Sequence, residues 1–404
     1  MHSMQQTVEK RIEVPHVIKY MGSKRNILDF VIECILESKS HGGQKVYDLF
    51  GGSAVVSGAL REIGPVCCND IQAYTSVLGK LYLNNYHWEE WSEDIAKQII
   101  EKATNKVDRF RDKYSHFTFS YSADMSFEEA VSVESAQQKL LTHTFNGLPH
   151  LFVQNYSGTY WSFDQCVWID AIASVANEKP YQESFLYPVI LGSLMFAMAY
   201  CSQSTGHYAQ YRGLTKDNMQ DVLFYRRKEI LPLFEQKFEA LKEHFNGASN
   251  TEFNHEVSTT GFLEAIENSE AGSLYYADPP YQFVHYSRFY HALETLTRYD
   301  YPEVRFKGRY RQDRHQSPFC IRTQVKKAFD QMFKAIYAKE GTLVLSYSNS
   351  GMISYDEIIA LASNRFKNYT IESEELDYEH STMGRQGDKS REVKEYLIVC
   401  RPLL

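Results

Sequence analysis

The residues with the most obvious chemistry are Asp278-Pro279-Pro280-Tyr281, directly after the apolar run 273–277 (SLYYA). Two prolines lack the backbone donor that a sheet ladder needs. They end the strand in a stiff loop at its carboxyl end, the edge where α/β folds place ligands. The loop offers one carboxylate, one carbonyl with no ladder partner and one aromatic ring. That trio suits an exocyclic amine on a flat base: two acceptors for two N–H groups, and a ring to stack on. Acceptors on both hydrogens draw the nitrogen lone pair out of conjugation and make it nucleophilic, an effect that grows toward the transition state. A structural turn with a surface aspartate is the competing reading. The placement after a strand and the tyrosine favour chemistry.

A second constellation is the segment 48–54, Asp48-Leu-Phe-Gly-Gly-Ser-Ala54, at the end of the run 45–50 (KVYDLF). Glycines after a strand let the backbone approach a ligand and start a helix tightly. Asp70 closes the next short strand, where an acid can accept both hydroxyls of a ribose. The third glycine of GxGxxG is missing, so a nucleoside without a pyrophosphate fits better than a dinucleotide. A glycine turn needed only for packing is the alternative. A third constellation, Lys19-Tyr20-Met21-Gly22-Ser23-Lys24, precedes the first helix. Its free N–H groups, Gly22 and two lysines suit a carboxylate.

These groups need elements to hold them. Helices are expected over 26–37, with Ile27, Leu28, Val31 and Ile35 on one face, and over 54–63 and 71–84. Strands are expected over 45–50 and 66–69. Strand, glycine turn, helix, strand is half of a nucleotide-binding sheet. From about 88 to 250 the pattern turns helical and irregular, rich in Tyr, Phe and Trp. Strand signals return at 273–277, 342–347 and 395–400. The economical reading is one α/β domain from 1–90 and 251–404, interrupted by a mainly helical insertion over 91–250. A loop of that length needs structure of its own.

The chain has 404 residues, 43% hydrophobic and 23% charged, which excludes collagen-like and wholly disordered classes. The apolar run 185–201 (FLYPVILGSLMFAMAYC) contains Pro188, Gly192 and Ser193 and falls short of the ~20 residues of a membrane span. It reads as a buried core helix, with no membrane partner. Seven cysteines without a CxxC pair argue against a zinc ribbon and a disulfide framework and for a reducing cytosol. The polar start, MHSMQQTVEKRIEV, shows no secretory signal. The expected location is the cytoplasm.

In order, KYMGSK, DLFGGSA, NDI (Asn69-Asp70-Ile71) and DPPY resemble the D12 class of adenine-specific DNA methyltransferases, the Dam-like or alpha-order group. The resemblance covers both flanks, 17–85 and 251–404. The stretches 152–170 (FVQNYSGTYWSFDQCVWID), 204–210 (STGHYAQ) and 380–391 (HSTMGRQGDKSR) resemble a subgroup that includes modification methylases with asymmetric sites. The resemblance implies a Rossmann-like S-adenosylmethionine-dependent methyltransferase sheet with an inserted helical target-recognition domain. It implies S-adenosyl-L-methionine as cofactor and no metal. Tyr20, Gly22 and Lys24 would contact the cofactor. Asp48, Phe50, Gly51, Gly52 and Ser53 would lie against its methionine part. Asp70 would take the ribose hydroxyls with Ile71 beside it, and Phe262 would face the adenine. Asp278, Pro279, Pro280 and Tyr281 would form the catalytic loop, with Asp278 also beside the cofactor. Asp rather than Ser at the head of that loop implies adenine N6 over cytosine N4.

The implied function is site-specific N6 methylation of adenine in double-stranded DNA, with the base flipped out of the helix. It would serve restriction-modification or phage defence in a prokaryote. A restriction endonuclease or defence-system partner would be encoded separately, and the chain would be a monomer or weak dimer. Two positions depart from the family pattern. Ala54 stands where many members have Gly. Gly261 stands where many have an acid facing the cofactor's adenine amino group, leaving a backbone carbonyl or Thr260 as the substitute. An RNA adenine methyltransferase and a DNA-binding relative without turnover are the alternatives.

A net charge of −8 would seem to oppose nucleic acid. Residues 298–327, however, hold nine Lys and Arg against three acids, a local +6, interleaved with aromatics. That mixture suits phosphate positioning with base stacking or strand wedging; a solvated charged face is the alternative. Arg305, Lys307, Arg309, Arg311 and Arg314 are candidate DNA contacts, as are Arg385, Lys389 and Arg391 further on. His207 and His315 read as structural rather than catalytic.

Overall fold

The structure, a computed structural model, describes residues 13–203, 206–280, 283, 285–379 and 392–403. Its frame is a seven-stranded sheet. In chain order the strands are β1 (Val46–Asp48), β2 (Val66–Asn69), β3 (Glu256–Ser258), β4 (Leu274–Ala277), β7 (Thr342–Ser348), β8 (Tyr369–Glu379) and β9 (Glu392–Pro402); β5 (Val304–Arg305) and β6 (Tyr310–Arg311) form a separate hairpin. The sheet order is β3-β2-β1-β4-β7-β9-β8. Strands β3, β2, β1, β4 and β7 are parallel. Strand β9 runs against both β7 and β8. The chain leaves β1 toward β2 and β3 on one side, then returns to β4 on the other. That reversal between β1 and β4 opens a crevice at their carboxyl ends, the place where open α/β sheets bind ligands.

The central strands are apolar throughout because both faces are covered. Their residues alternate between two cores. Val46, Leu274, Tyr276, Val344 and Leu397 face one core; Tyr47, Tyr275, Ala277, Leu345 and Ile398 face the other. The second core is closed by α12 (Phe262–Glu267), α15 (Val325–Ala338) and α16 (Tyr355–Arg365), through residues such as Ile266, Phe329, Phe333 and Ile358, with α13 (Tyr286–Phe289) and α14 (His291–Arg298) following β4 in the chain. The first is closed by α1 (Leu28–Ser38), α2 (Val55–Ala59) and α3 (Ala73–Leu83).

Against α3 lie the helices of the long middle segment: α4 (Ile95–Lys113), α5 (Phe127–Gln138), α6 (Leu151–Tyr156), α7 (Phe163–Ala176), α8 (Lys179–Gln182), α9 (Leu186–Cys201), α10 (Met219–Arg226) and α11 (Ile230–Asn246). The apolar faces of α4, α6, α7, α8, α9 and α11 join the first core, while Ala130 of α5 and Met219 and Leu223 of α10 form a small cluster of their own. The run read as a core helix is α9, buried on nearly every side. Gly192 lets it cross α3 closely, since a Cβ there would lie 3.0 Å from Leu81. Among the described residues, no helix is long and apolar enough to cross a membrane.

Some elements differ from expectation. The first helix begins as a 3-10 turn, Lys24–Ile27, and the helix after the glycines is only Val55–Ala59. Three features lacked a sequence signal: β3, β8 and the β5–β6 hairpin. Strand β3 is three residues at a sheet edge. Strand β8 is the other edge, and its exposed Glu372, Glu374 and Glu375 mask the alternation. Charges on an edge strand discourage pairing with another chain.

The stretch 152–170 is a structural knot. Asp170 on α7 accepts the backbone N–H groups of Phe152 (2.8 Å) and Val153 (3.0 Å), capping α6. Ser162 and Gln165 form a capping box at the start of α7. Arg226 is buried and grips Glu134 with two hydrogen bonds, 2.8 and 3.0 Å, while also donating to the Thr159 carbonyl. Removing one partner of a buried pair strands the other charge. Arg226→Ala should therefore lower the unfolding free energy by about 3–5 kcal/mol in denaturant titration.

Candidate active site

Asp48, the last residue of β1, and Asp278, just after β4, end neighbouring parallel strands at the crevice. Asp48 is buried; its Oδ2 accepts from Ser57 Oγ at 2.6 Å, and its Oδ1 has no partner among the described residues. Burial pushes its carboxyl up to about 7, with Ser57 pulling the other way and Asp278 and Asp70 adding to the rise.

The glycine turn follows. The Gly51 N–H donates to the Asn69 carbonyl at 2.8 Å, locking β1 to β2. Gly52 has φ +54, and a Cβ there would lie 2.8 Å from the Tyr20 hydroxyl. Its N–H donates to Asp70 Oδ2 at 2.9 Å, while Gln72 N–H donates to Asp70 Oδ1 at 2.9 Å. Each Asp70 oxygen is thus oriented by one N–H and keeps a lone pair for a hydroxyl. Burial raises that carboxyl to about 6, against those N–H groups. Ala54 adopts φ +56, the left-handed region that favours glycine. The departure there is a strained backbone, costing about 1–2 kcal/mol, as well as an added methyl.

Tyr20 anchors a column of rings. It stacks on Tyr290 at 4.7 Å and on Tyr286 at 5.5 Å, and Tyr290 hydroxyl accepts the Met21 N–H at 2.7 Å. The column fixes the segment that carries Lys24. The Lys24 ammonium is buried and lies 3.1 Å from Asp278 Oδ1 and 2.6 Å from Glu395 Oε1. It thus sits at the head of the Asp278–Pro279–Pro280 loop. Burial raises the Asp278 carboxyl to about 6; Lys24 opposes this and Glu395 reinforces it.

One cavity of about 330 Å³ gathers these groups. Tyr20, Gly22, Lys24, Asp48, Phe50, Gly51, Gly52, Ser53, Asp70, Ile71, Phe262, Asp278, Pro279 and Pro280 all line it. Tyr281 lies outside the described residues. Gly261 also lines the cavity, and a Cβ there would meet nothing within 4 Å. Thr260 is committed elsewhere: its N–H and hydroxyl both donate to Asn69 Oδ1, and its carbonyl accepts from Asn69 Nδ2. Sequence reasoning missed Tyr276, His285, Tyr286, Ser287, Ser317 and Pro318 on the cavity wall, and His315, which it read as structural, lies there as well. None carries a local motif; the fold brings them in. His207 stacks on Phe289 at 4.3 Å, a structural contact.

The basic segment divides. Arg311 is buried and clamped by Asp300 (2.6 Å) and Asp313 (3.0 Å), with Arg298 on the same two acids at 2.9 and 2.8 Å. Arg311 is a framework residue, which corrects its reading as a DNA contact: a guanidinium so paired is not presented to phosphate. Arg309 is half-buried and donates to the Asn155 carbonyl. Arg314 sits over the Tyr310 ring, 5.6 Å from its centre. Arg305 and Lys307 are exposed, Arg305 beside Glu303. Arg385, Lys389 and Arg391 lie outside the described residues.

A family model described as D12 class N6 adenine-specific DNA methyltransferase matches residues 20–350. Modification methylase LlaI of Lactococcus lactis subsp. lactis is 24% identical over 389 residues, covering 94% of this chain and 54% of its own length. Type II methyltransferase M.FokI of Planomicrobium okeanokoites is 23% identical over 385 residues, covering 94% and 52%. Type II methyltransferase M.NlaIII of Neisseria lactamica is 20% identical over 389 residues, covering 94% and 98%. The chain thus spans about half the length of the first two relatives.

Lys24→Met would leave Asp278 and Glu395 facing each other without a cation. The Asp278 carboxyl, already raised by burial, would rise further, so the folded state would bind more protons than the unfolded chain. The loss of stability should be smallest near pH 4, grow as pH rises through about 6 and reach about 3–5 kcal/mol. Denaturation curves at several pH values read this directly.

Proposed function

The chain belongs to the D12 class of N6 adenine-specific DNA methyltransferases, and from that premise we propose that it methylates adenine N6 in a specific double-stranded DNA site, with S-adenosyl-L-methionine as donor. The observation that carries the reading is the pair Asp48 and Asp278 on adjacent strand ends, facing one cavity whose walls also hold Asp70 and the Pro279–Pro280 loop.

The cavity's residues fit that donor. The unpartnered Asp48 Oδ1 is an acceptor of the kind an ammonium needs. Asp70, held by two N–H groups, suits ribose hydroxyls. Phe262 and Ile71 offer apolar contact to a purine. When bound, S-adenosyl-L-methionine supplies a methyl on a positively charged sulfur, a leaving group that needs no metal. Asp278 accepts one N–H of the target amine and the Pro279 carbonyl the other, raising the nucleophilicity of N6. With that donor bound, N6 would take the methyl as its bond to sulfur breaks. The proton that N6 then sheds has Asp278 as its first acceptor. Tyr281 stacks on the extruded base.

DNA engagement is assigned to the β5–β6 hairpin. Its tip carries Arg305, Phe306 and Lys307, with Phe306 74% exposed. An exposed aromatic between two cations suits a wedge that fills the gap left by a flipped base. Residues 91–250 would form the target-recognition domain. Service in restriction-modification or phage defence, in a prokaryotic cytoplasm, with a separately encoded partner and a monomeric or weakly dimeric chain, completes the proposal.

Asp278→Ala should abolish methyl transfer to DNA in a tritiated-methyl assay while leaving cofactor binding measurable by thermal shift; near-wild-type transfer would sink the assignment. Arg305→Ala and Lys307→Ala should each reduce the salt slope of DNA binding by about 0.9. Phe306→Ala should slow methylation of a paired target adenine and spare a mismatched one, where flipping is cheaper. Equal loss on both substrates would remove the wedge role.

A further inference from the structure

Glu395 is fully buried on β9, 0% exposed, in a strand whose neighbours Leu397 and Val399 are apolar. It does not line the cavity. Its Oε1 takes the Lys24 ammonium at 2.6 Å and accepts from the Ser346 hydroxyl on β7. Its Oε2 has no partner among the described residues. Stability alone is a poor reason for such a group. Replacing a buried ion pair by apolar side chains of similar volume is often neutral or stabilising, and a carboxylate oxygen left without a donor adds to the cost.

The geometry points instead to the other contact of Lys24, 3.1 Å from Asp278 Oδ1. An ammonium beside Asp278 keeps that carboxyl charged in a buried place. The same ammonium, if free to settle fully on Asp278, would occupy the acceptor that the target amine needs. Glu395 draws Lys24 to the opposite side and holds it there. We infer that Glu395 is a positioning residue for methyl transfer: it holds Lys24 back from Asp278, so that the carboxylate keeps its acceptor strength for the substrate amine. The inference rests on the proposed function of the same site. The charged and titratable groups facing Asp278 are Lys24 from the segment before α1, Asp48 from β1, Tyr276 from β4 and Glu395 from β9. His285 and His315 line the same cavity.

The test is Glu395→Gln in the full chain, which keeps the shape and a hydrogen bond to Lys24 and removes the charge. Single-turnover methylation across pH, S-adenosyl-L-methionine affinity, and a carbon-13 carboxyl titration of Asp278, assigned with Asp278→Asn, are the readouts. The plateau rate should fall roughly 10–100-fold, as for residues that orient a catalytic group. Cofactor affinity should stay unchanged. Loss of a like charge should move the acid limb of the rate profile, and the Asp278 midpoint near 6, to lower pH by about one unit. An unchanged rate overturns the inference, and so does a slowed variant whose acid limb and midpoint stay in place. Glu395→Asp, one methylene shorter, serves if the Gln variant does not fold: it should slow transfer and shift the midpoint the same way by less, and no change in either overturns the inference. If the wild-type chain methylates no DNA, the proposed function fails, and the carboxyl titration still decides what Glu395 does to Asp278.

Discussion

One buried ammonium joins the two ends of this chain. Lys24 comes from the segment before the first helix, Asp278 from the loop after β4 and Glu395 from the penultimate run of the sequence. Charges removed from water are tolerable only if each has its partner. The trio therefore demands that the N-terminal segment, the loop after β4 and β9 arrive together. The aromatic column of Tyr20, Tyr286 and Tyr290 fixes the first, the β1–β4 pairing the second, and the antiparallel β7–β9 ladder the third. Loosening any of these would leave a carboxylate in an apolar interior.

The cavity follows from the same constraint. Asp48, Asp70 and Asp278 all have carboxyls raised by burial, to about 7, 6 and 6. Among the described residues, Lys24 supplies the one ammonium against this cluster at close range. A site with that imbalance favours a ligand that brings positive charge and hydroxyl donors, which is what a sulfonium-bearing nucleoside amino acid offers. The glycines serve the same end, because Gly51 and Gly52 put backbone where any side chain would strike Cys68 or Tyr20.

Much of the site was readable from sequence because its parts are local. DPPY, DLFGGSA and the acid after β2 each bundle several groups into a few consecutive residues, and each sits at a strand end where the fold exposes it. The helical nature of the middle segment was readable too, from its lack of strand alternation. Glu395 was not. It lies in an apolar strand signal, beyond the residues matched by the family model, and its meaning depends on a partner 371 positions away. Strand β8 was hidden because its outward carboxylates break the alternation that marks a strand. The stretch 152–170 stood out by its resemblance to a methylase subgroup, yet Asp170, Ser162 and Gln165 spend polar atoms on capping helices.

The basic segment shows how counting charges misleads without pairing them. Of its nine cations, Arg298 and Arg311 share Asp300 and Asp313, and Arg305 leans on Glu303. Those pairs build something. A hairpin with two-residue strands is marginal alone, and here Tyr299, Tyr301, Phe306 and Arg309 all adopt positive φ, at 46°, 48°, 62° and 50°. Bulky residues hold such a conformation only where the surroundings over-determine it. The Arg311 clamp, and the Tyr160 hydroxyl donating to the Gly308 carbonyl at 3.0 Å, supply that determination. Charge in this segment is spent partly on rigidity; of its exposed cations, Arg305 and Lys307 flank the exposed Phe306, while Arg322, Lys326 and Lys327 lie at or just before the start of α15, Lys326 paired with Glu357. The proposed wedge must not yield when it is pushed into a base stack, and a strained, internally paired hairpin suits that role better than a uniformly cationic loop.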